Sequence, residues 1–335
     1  MTPRHLFDWQ HIADEDWAAL VQRGVGFSEQ GFDWRQVAHG KSLALIFFNP
    51  SLRTRASMDL AAAQLGAHAT VLEPGKGTWG TEWNPGTVMD GAAAEHITEA
   101  IGVLSRYYDA LGVRVFAAGE DYAEDRDEVR FKRIMAASTV PVVNLESAFF
   151  HPCQALADAV TLHRHFDGQT QGKRLVLHWC YHPKALPMAV PNSTLLMAAR
   201  MGMRVTVARP GGFELDPGVM AVARRNAEAR GGEVLETEDP GCDDAHIVYA
   251  KAWGGSVAYD NPDAEAELRG AAKHWRITEN LQQRGDGAHL MHPLPVRRNV
   301  VVDDAVLDGS ASLHLDQAEN RVHAQKAILE WVWNL

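Results

Sequence analysis

The sequence predicts an α/β fold with two domains, each a mainly parallel sheet flanked by helices, joined by interdomain helices. The 335 residues are enough for about two domains of ordinary size. Short apolar runs alternate with helical patterns through most of the chain, which is typical of parallel sheets covered on both faces. Because such sheets bind ligands beyond the carboxyl ends of their strands, the residues that follow the apolar runs are the first functional candidates.

The predicted strands are the apolar runs at residues 43–48, 70–72, 113–116, 140–144, 174–177, 204–207, 233–236, 247–250 and 288–291. Helices fit between most of them, and the clearest are predicted over residues 53–65, 158–166 and 316–333. We expect a first domain at residues 1–150, a second at 151–315, and a C-terminal helix at 316–335 that packs back on the first domain.

Charge and composition exclude several classes of partner. The formal net charge of −11 argues against nucleic acid, because nucleic-acid binding usually needs a basic face. No apolar stretch approaches the roughly 18 residues that span a bilayer, and Met1–Trp9 lacks the pattern of a signal peptide. The three widely spaced cysteines suggest no disulfide framework, so we expect a cytoplasmic protein.

The 16 histidines show no spacing typical of metal ligands. His163 and His165 lie two apart on a predicted helix and therefore point to different faces. We expect neither a metal ion nor a cofactor.

The segment Ser51-Leu52-Arg53-Thr54-Arg55 lies where the first predicted strand turns into a helix. Free N–H groups and the positive end of the helix dipole face outward at such a point. Guanidinium groups match phosphate oxygens two at a time. The segment therefore predicts a phosphate site; the alternative is a basic surface turn that only caps the helix.

The segment His151-Pro152-Cys153-Gln154, with Asp158 beyond it, directly follows another predicted strand and Glu146. Proline at the first helical position places the imidazole at the carboxyl end of that strand. Gln154 offers both an amide donor and an acceptor to the same ligand. A histidine in this position by itself would more often be structural.

Two further polar segments lie near the C-terminus. In His292-Pro293-Leu294-Pro295-Val296-Arg297-Arg298-Asn299, two prolines stiffen the loop and hold its carbonyl groups and Arg298 in place. The second, Asp316-Gln317-Ala318-Glu319-Asn320-Arg321, opens the last helix with an arginine one turn in.

Taken in order, the motifs S-x-R-T-R, H-P-x-Q and H-x-L-P resemble the carbamoyltransferase family, which includes the aspartate and ornithine enzymes. The resemblance covers essentially the whole chain and implies a carbamoyl phosphate domain followed by an amino-substrate domain. It also implies a homotrimer with shared active sites. Finer segments are similar to the acylornithine branch of the family: residues 74–79 (P-G-K-G-T-W), Asn84 with 86–91, 181–184 (Y-H-P-K), 249–254 (Y-A-K-A-W-G) and 297–300 (R-R-N-V).

The resemblance implies transfer of the carbamoyl group from carbamoyl phosphate to the δ-amine of an N-acylornithine. The residues implied to bind carbamoyl phosphate are Ser51, Leu52, Arg53, Thr54, Trp79 of a neighbouring subunit, Arg114, His151, Gln154, Leu294 and Arg321. His151, Arg114 and Thr54 are the implied catalytic donors to the carbonyl oxygen. Fixed donors of this kind commonly lower a barrier by several kcal/mol. The nucleophile is the substrate amine, so no protein nucleophile is expected.

The resemblance implies that Glu146, Lys251 and Arg298 surround the amino acid end of the acylornithine, with Lys251 and Arg298 pairing its α-carboxylate. Ala94 occupies the place where acetyl-specific members have a glutamate that succinyl-specific members lack. A carboxylate there would repel a succinyl group, and alanine removes that repulsion. The rest of the branch signature nevertheless favours the acetyl substrate over the succinyl one.

Two other positions depart from the family pattern. Pro293 replaces the cysteine of the ornithine-type loop, which leaves only a backbone role, and Val301 replaces a lysine near the acyl site. A non-catalytic paralogue that binds carbamoyl phosphate without turnover is the alternative from a different class. Plain ornithine carbamoylation is disfavoured because the aspartate and S-M-G motif of ornithine enzymes has no counterpart here.

Overall fold

The helices and strands of the computed structural model, which describes residues 3–76 and 78–335, confirm the predicted alternating α/β class. The strands are β1 Ser42–Phe47, β2 His68–Leu72, β3 Thr81–Glu82, β4 Glu95–His96, β5 Ala110–Arg114, β6 Val142–Glu146, β7 Arg174–Trp179, β8 Arg204–Ala208, β9 Glu233–Thr237, β10 Ile247–Lys251 and β11 His289–Met291.

Thirteen helices of the described residues accompany these strands. They are α1 Asp14–Gln30, α2 Arg53–Gln64, α3 Ile97–Tyr107, α4 Tyr122–Arg126, α5 Val129–Ala137, α6 Pro152–His165, α7 Ala189–Arg200, α8 Pro217–Glu228, α9 Val257–Asp260, α10 Pro262–Ala271, α11 Glu279–Gln283, α12 Asp304–Leu307 and α13 His314–Trp333.

The chain divides into two compact units, and both divisions fall inside a helix. The first unit comprises the chain up to Cys153 together with Arg321–Leu335, and the second comprises Gln154–Asn320. Helices α6 and α13 therefore each contribute residues to both units. The boundaries expected at residues 150 and 315 stay a prediction.

The sheet of the first unit is parallel, with strand order β2-β1-β5-β6. The chain reverses its direction of winding between β1 and β5, so this sheet has its switch point there. Register pairs Phe47 with Arg114 and Arg114 with Glu146, with a bulge just before Arg114. The carboxyl ends of β1, β5 and β6 are thereby aligned.

The core of the first unit is an apolar cluster between this sheet and helices α3 and α5. It contains Ile46, Leu111 and Val113 from the sheet and Ile101 and Phe131 from the helices, all 3% exposed or less. Continuous burial of both faces explains why these strands read as unbroken apolar runs rather than as alternating ones.

The sheet of the second unit is also parallel, with strand order β11-β10-β7-β8-β9. Its switch point lies between β7 and β10, where register pairs Trp179 with Lys251. The loops that follow β7, β10 and β11 are therefore the ones placed to bind a ligand.

Some element bounds differ from the sequence prediction. β5 ends at Arg114 instead of residue 116, and β6 runs to Glu146 instead of residue 144. Both charged side chains thus end a strand, a position that apolar periodicity alone does not identify. The short parallel pair β3–β4 was not predicted, because two-residue strands have no measurable period.

No helix in the described part of the chain is long and apolar enough to cross a membrane. The three cysteines, Cys153, Cys180 and Cys242, are all unbridged and buried. Burial raises the pKa of the Cys153 thiol to about 12 and that of Cys242 also to about 12, and it raises the pKa of Cys180 further.

His178 on β7 is completely buried, and its Nε2 lies 3.1 Å from the carbonyl oxygen of Pro240. Burial lowers the pKa of His178 from 6.5 to about 4, against the opposing effect of that hydrogen bond. The fold therefore favours the neutral imidazole. Since the unfolded chain takes up the proton first, stability is lost as the pH falls from about 6.5 toward 4.

Replacing His178 by Gln is expected to flatten this pH dependence. The substitution removes a change of about 3 kcal/mol in the free energy of unfolding between those pH values. Urea unfolding at a series of pH values between 4.5 and 7 measures the slope, with exposed His39→Gln as the control. Equal slopes for His178→Gln and the unchanged protein would contradict the assignment.

Candidate active site

The Ser51–Thr54 segment connects β1 to α2 at the switch point of the first sheet. The Ser51 hydroxyl accepts a hydrogen bond from the Thr54 N–H at 3.2 Å, and the Thr54 hydroxyl accepts one from Arg321 Nη2 at 2.9 Å. Thr54 is 2% exposed, whereas the Leu52 side chain is 77% exposed, so Leu52 can contribute only its backbone inside the site. These contacts fix the start of α2, whose free N–H groups suit an anion.

Two further guanidinium groups lie close to this helix start. Burial lowers the pKa of Arg53, and the positive charge of Arg114 lowers it further. The Arg53 guanidinium nevertheless keeps its positive charge. Two like charges held near each other, with Arg114 buried and Arg53 half-buried, create a local positive potential that favours binding of a dianion even in an acidic protein.

Glu146 and His151 complete the group of polar residues at this edge of the sheet. Arg114 Nη1 is paired with Glu146 Oε2, and His151 Nε2 lies 3.5 Å from the same oxygen. The Arg114 guanidinium also lies over the Phe116 ring, 4.4 Å from its centroid. The first unit thus brings together eight of the residues proposed from the sequence: Ser51, Leu52, Arg53, Thr54, Arg114, Glu146, His151 and Arg321.

Trp79 and Ala94 lie in exposed segments of the first unit. The Trp79 side chain is 69% exposed, and Ala94 is exposed directly before β4. The loop between β3 and β4 is anchored by Arg133, which donates to the carbonyl oxygen of Trp83 at 2.8 Å. Gly77, part of the 74–79 motif, lies outside the described residues.

Gln154 belongs to a buried hydrogen-bond network of the second unit, centred on Asp158. Gln154 Nε2 and Gln317 Nε2 each donate to Asp158 Oδ1 at 2.7 Å, and the Tyr249 hydroxyl donates to Asp158 Oδ2 at 2.8 Å. Burial and the charge of Asp158 raise the pKa of Tyr249 well above 10, so its hydroxyl stays a donor. The network fixes the Gln154 side chain.

The same network holds the loop that follows β11. Gln317 Oε1 accepts a hydrogen bond from the His292 N–H at 2.9 Å, and His292 Nδ1 accepts one from the Leu294 N–H at 2.9 Å. The Leu294–Pro295 peptide bond is cis. Pro293 is buried in this loop, which is consistent with a purely backbone role at that position.

Tyr249 and Gln317 were not predicted as supporting residues. Tyr249 lay within a branch motif and Gln317 within the polar start of the last helix. The available signal was a tyrosine inside a buried strand, because a buried hydroxyl usually requires a partner. Which partner it finds depends on the sheet order and could not be read from the chain.

Lys251 and Arg298 each have intramolecular partners. Lys251 Nζ donates to the Ala252 carbonyl oxygen at 2.7 Å. Arg298 pairs with Asp304 at 2.9 Å and with Asp308 at 2.7 Å, on the surface. Their predicted pairing with a substrate carboxylate stays a prediction, and for Arg298 it requires exchange with these aspartates.

Two segments of the acylornithine signature meet in the second unit. Arg297 Nε donates to His182 Nε2 at 2.9 Å, so Nδ1 carries the ring proton and donates to the Lys184 carbonyl oxygen at 2.9 Å. Val301 is 2% exposed, and its carbonyl oxygen accepts from Ile277 N at 2.9 Å. An apolar residue is therefore accommodated at position 301 by packing.

No group of three or more potential metal-ligating side chains occurs among residues 3–76 and 78–335. The arrangement is instead one of fixed cations and hydrogen-bond donors beside a single carboxylate. Such an arrangement can bind a small anion and polarise a carbonyl group attached to it.

Parallel sheets with positive groups and helix N–H groups at a switch point are typical of α/β proteins that bind anionic ligands. Residues 4–164 match the family model described as the aspartate/ornithine carbamoyltransferase carbamoyl-P binding domain, and residues 188–332 match the Asp/Orn binding domain of the same family. The chain belongs to the aspartate/ornithine carbamoyltransferase family and is an enzyme of that type.

Among its relatives is an N-acetylornithine carbamoyltransferase of Xanthomonas axonopodis pv. citri, 46% identical over 98% of this chain and 96% of the relative. An N-succinylornithine carbamoyltransferase of Bacteroides fragilis is 34% identical over 94% of each chain. A crystal structure of acetylornithine transcarbamylase complexed with acetylcitrulline superimposes with a TM-score of 0.95 at 41% identity, covering 98% of this chain and 99% of that one.

Replacing Tyr249 by Phe is expected to destabilise the protein by about 1–3 kcal/mol, because Asp158 Oδ2 then loses a buried donor. Tyr107→Phe is the matched control, since that side chain is 70% exposed and its substitution should change little. Urea unfolding measures both. Equal effects of the two substitutions would show that the hydroxyl of Tyr249 does not support the network.

Proposed function

We propose that this enzyme transfers the carbamoyl group of carbamoyl phosphate to the δ-amine of N-acetyl-L-ornithine. The products are N-acetyl-L-citrulline and phosphate, in arginine biosynthesis. The observation that carries the proposal is the cluster of Arg53, Arg114 and the Thr54–Arg321 pair at the start of α2. The higher identity to the acetylornithine enzyme, 46% against 34% for the succinylornithine enzyme, supports the choice of substrate.

The phosphate group is assigned to the start of α2. Ser51, the backbone of Leu52, Arg53 and Thr54 offer N–H, hydroxyl and guanidinium donors within four consecutive residues. A phosphate dianion offsets the repulsion between Arg53 and Arg114, which the carboxylate of Glu146 opposes only in part. Binding energy at the phosphate also holds the carbamoyl carbon in place for attack.

The carbonyl oxygen is assigned to His151, Arg114 and Thr54. As the neutral δ-amine attacks, negative charge grows on this oxygen, and donors fixed before the reaction stabilise it most effectively. The tetrahedral adduct then breaks its bond to the phosphate oxygen, and the departing phosphate accepts the extra proton of the amine. Each group acts by binding or by hydrogen bonding, so no covalent enzyme intermediate is required.

The remaining contacts are assigned to residues of α6, α13 and the loops of the second sheet. Gln154, the Leu294 carbonyl group and Arg321 hold the carbamoyl nitrogen in place. The buried network around Asp158 positions Gln154 and the loop that contains Leu294. Lys251 and Arg298 form ion pairs with the α-carboxylate of the acylornithine. Glu146 lies near its acylated nitrogen.

N-succinylornithine is the second candidate substrate, and Ala94 is the observation that favours it. Ala94 is small and exposed, so no charge at that position opposes a distal carboxylate. Glu95, the next residue, begins β4 and is paired in register with Thr81. The pairing fixes the backbone of Glu95 in a strand, in which neighbouring side chains point to opposite faces. This geometry argues against the Glu95 carboxylate replacing a charge at position 94.

Three further features are part of the proposal. The protein is a cytoplasmic homotrimer in which Trp79 reaches the active site of a neighbouring subunit, consistent with its 69% exposure. Residues 1–150 form the carbamoyl phosphate domain and 151–315 the acylornithine domain. Residues 316–335 complete the first domain.

Parallel assays test the substrate. Carbamoyl phosphate is supplied with N-acetylornithine, N-succinylornithine or ornithine, and the citrulline-type product is measured. We expect the acetyl compound to have the highest kcat/KM. A higher value for the succinyl compound would make Ala94 the specificity determinant. Absence of turnover with all three would overturn the catalytic proposal and leave a carbamoyl phosphate-binding protein.

Replacing His151 by Ala is expected to lower kcat by about 10²–10³-fold, because one donor to the developing oxyanion is lost. Circular dichroism should show an intact fold. Exposed His39→Ala is the matched control and should retain the unchanged kcat. An unaltered kcat in His151→Ala would remove this residue from the polarising role.

A further inference from the structure

The turn formed by residues 147–150 connects the two polar residues that face each other at the end of β6. Glu146 precedes the turn and His151 follows it, and His151 Nε2 lies 3.5 Å from Glu146 Oε2. The Ser147 N–H donates to the Phe150 carbonyl oxygen at 2.8 Å and closes the turn. The conformation of these four residues therefore sets the distance and orientation between Glu146 and His151.

A buried carboxylate from another part of the first unit holds this turn. Glu128 Oε1 accepts hydrogen bonds from the Ser147 hydroxyl at 2.5 Å and from the Phe149 N–H at 2.8 Å. Glu128 Oε2 accepts a third from the Ala148 N–H at 3.3 Å. The Ser147 oxygen in turn accepts from Asn144 Nδ2 at 2.7 Å, which ties the turn to β6 itself.

The Glu128 carboxylate does not cap the helix that follows it. Glu128 occupies the position before α5, but its side chain makes no capping hydrogen bond to that helix. Its backbone adopts a left-handed conformation, with φ of 56°, which is uncommon for a residue with a side chain. The carboxylate therefore accepts hydrogen bonds from the 147–150 turn instead of from the start of α5.

The position is an unfavourable one for a negative charge. Glu128 is 3% exposed, and it has no ion-pair partner in the part of the chain that the structure describes. Burial raises the pKa of Glu128 to about 7, the charge of Asp125 raises it too, and the hydrogen bonds from the turn lower it. Because the folded-state pKa is raised, the ionised carboxylate costs stability as the pH rises from about 4.5 through 7.

We propose that Glu128 is a positioning residue, whose carboxylate fixes the 147–150 turn and thereby orients His151 and Glu146 for carbamoyl transfer. This inference rests on the proposed function, in which His151 polarises the carbonyl group. A carboxylate suits the turn because it only accepts hydrogen bonds, and three donors converge on it. An amide at the same place would direct an NH₂ group at one of those donors.

Glu128→Gln tests this inference, because it keeps the size of the side chain and removes its charge. We expect kcat to fall about tenfold, since small misplacements of catalytic groups are costly. The KM for carbamoyl phosphate should change by less than about twofold, because phosphate is assigned to the start of α2. The melting temperature at pH 8 should change little, because removal of the buried charge offsets the loss of a hydrogen bond to the turn.

Two matched variants separate positioning from general destabilisation. Glu124→Gln makes the same chemical change at an exposed site four residues earlier and should leave kcat unaltered. Ser147→Ala removes one donor of the turn and should lower kcat less than Glu128→Gln. Combined, Glu128→Gln and Ser147→Ala should have an effect smaller than the product of the single effects, because both act through one turn.

The His151 imidazole signals provide a readout that does not depend on turnover. In ¹³C-histidine NMR, they are assigned by their loss in His151→Ala. They should shift in Glu128→Gln and not in Glu124→Gln. If the unchanged protein has no turnover, the proposed function fails, and this NMR comparison alone decides the inference.

The inference is overturned by any of three results. The three are an unaltered kcat in Glu128→Gln, fully multiplicative effects of the two substitutions in the double variant, and His151 signals that do not respond to Glu128→Gln. A fourth result, a loss of kcat matched by a lower melting temperature at pH 8, overturns it as well, because the residue would then act through stability alone.

Discussion

The parallel register of β1, β5 and β6 is the constraint on which the site in the first unit depends. It pairs Phe47 with Arg114 and Arg114 with Glu146, so three strands end at one level. Apart from Arg321 on α13, the polar groups of that unit's site lie at or after these ends: the Ser51–Thr54 segment after β1, Arg114 at the end of β5, and Glu146 with His151 at and after the end of β6. A slip of one residue would turn Arg114 to the opposite face of the sheet.

Electrostatics at this edge differs from that of the protein as a whole. The chain carries a formal net charge of −11, yet Arg53 and Arg114 are held together with the carboxylate of Glu146 beside them. The electrostatic field at the site is set mainly by fixed charges close to it. Surface carboxylates more than about 10 Å away are largely screened at ordinary ionic strength. The overall acidity thus discourages large polyanions without preventing the binding of a small one.

The sequence predicted the fold class and most strands because buried parallel strands are continuous apolar runs with polar residues directly after them. The segment at residues 51–54 and His151 also followed from the residues themselves, because ligands bind at strand ends in such sheets. Roles for Arg114, Glu146 and Arg321 came only through the resemblance to the family. The sequence did not predict the partners that support these residues. Glu128 lies in a charged stretch, residues 124–130, that is indistinguishable from a solvated helix start. Its burial depends on contacts with a turn about twenty residues away in the chain.

The three native thiols are buried, with pKa values far above neutrality. Thiolate is the reactive form, so maleimides and similar reagents will attack the folded protein very slowly at neutral pH. A cysteine introduced at an exposed position will therefore be the dominant point of attachment. Fluorescent or spin probes can be placed on this protein one at a time without first removing its own cysteines.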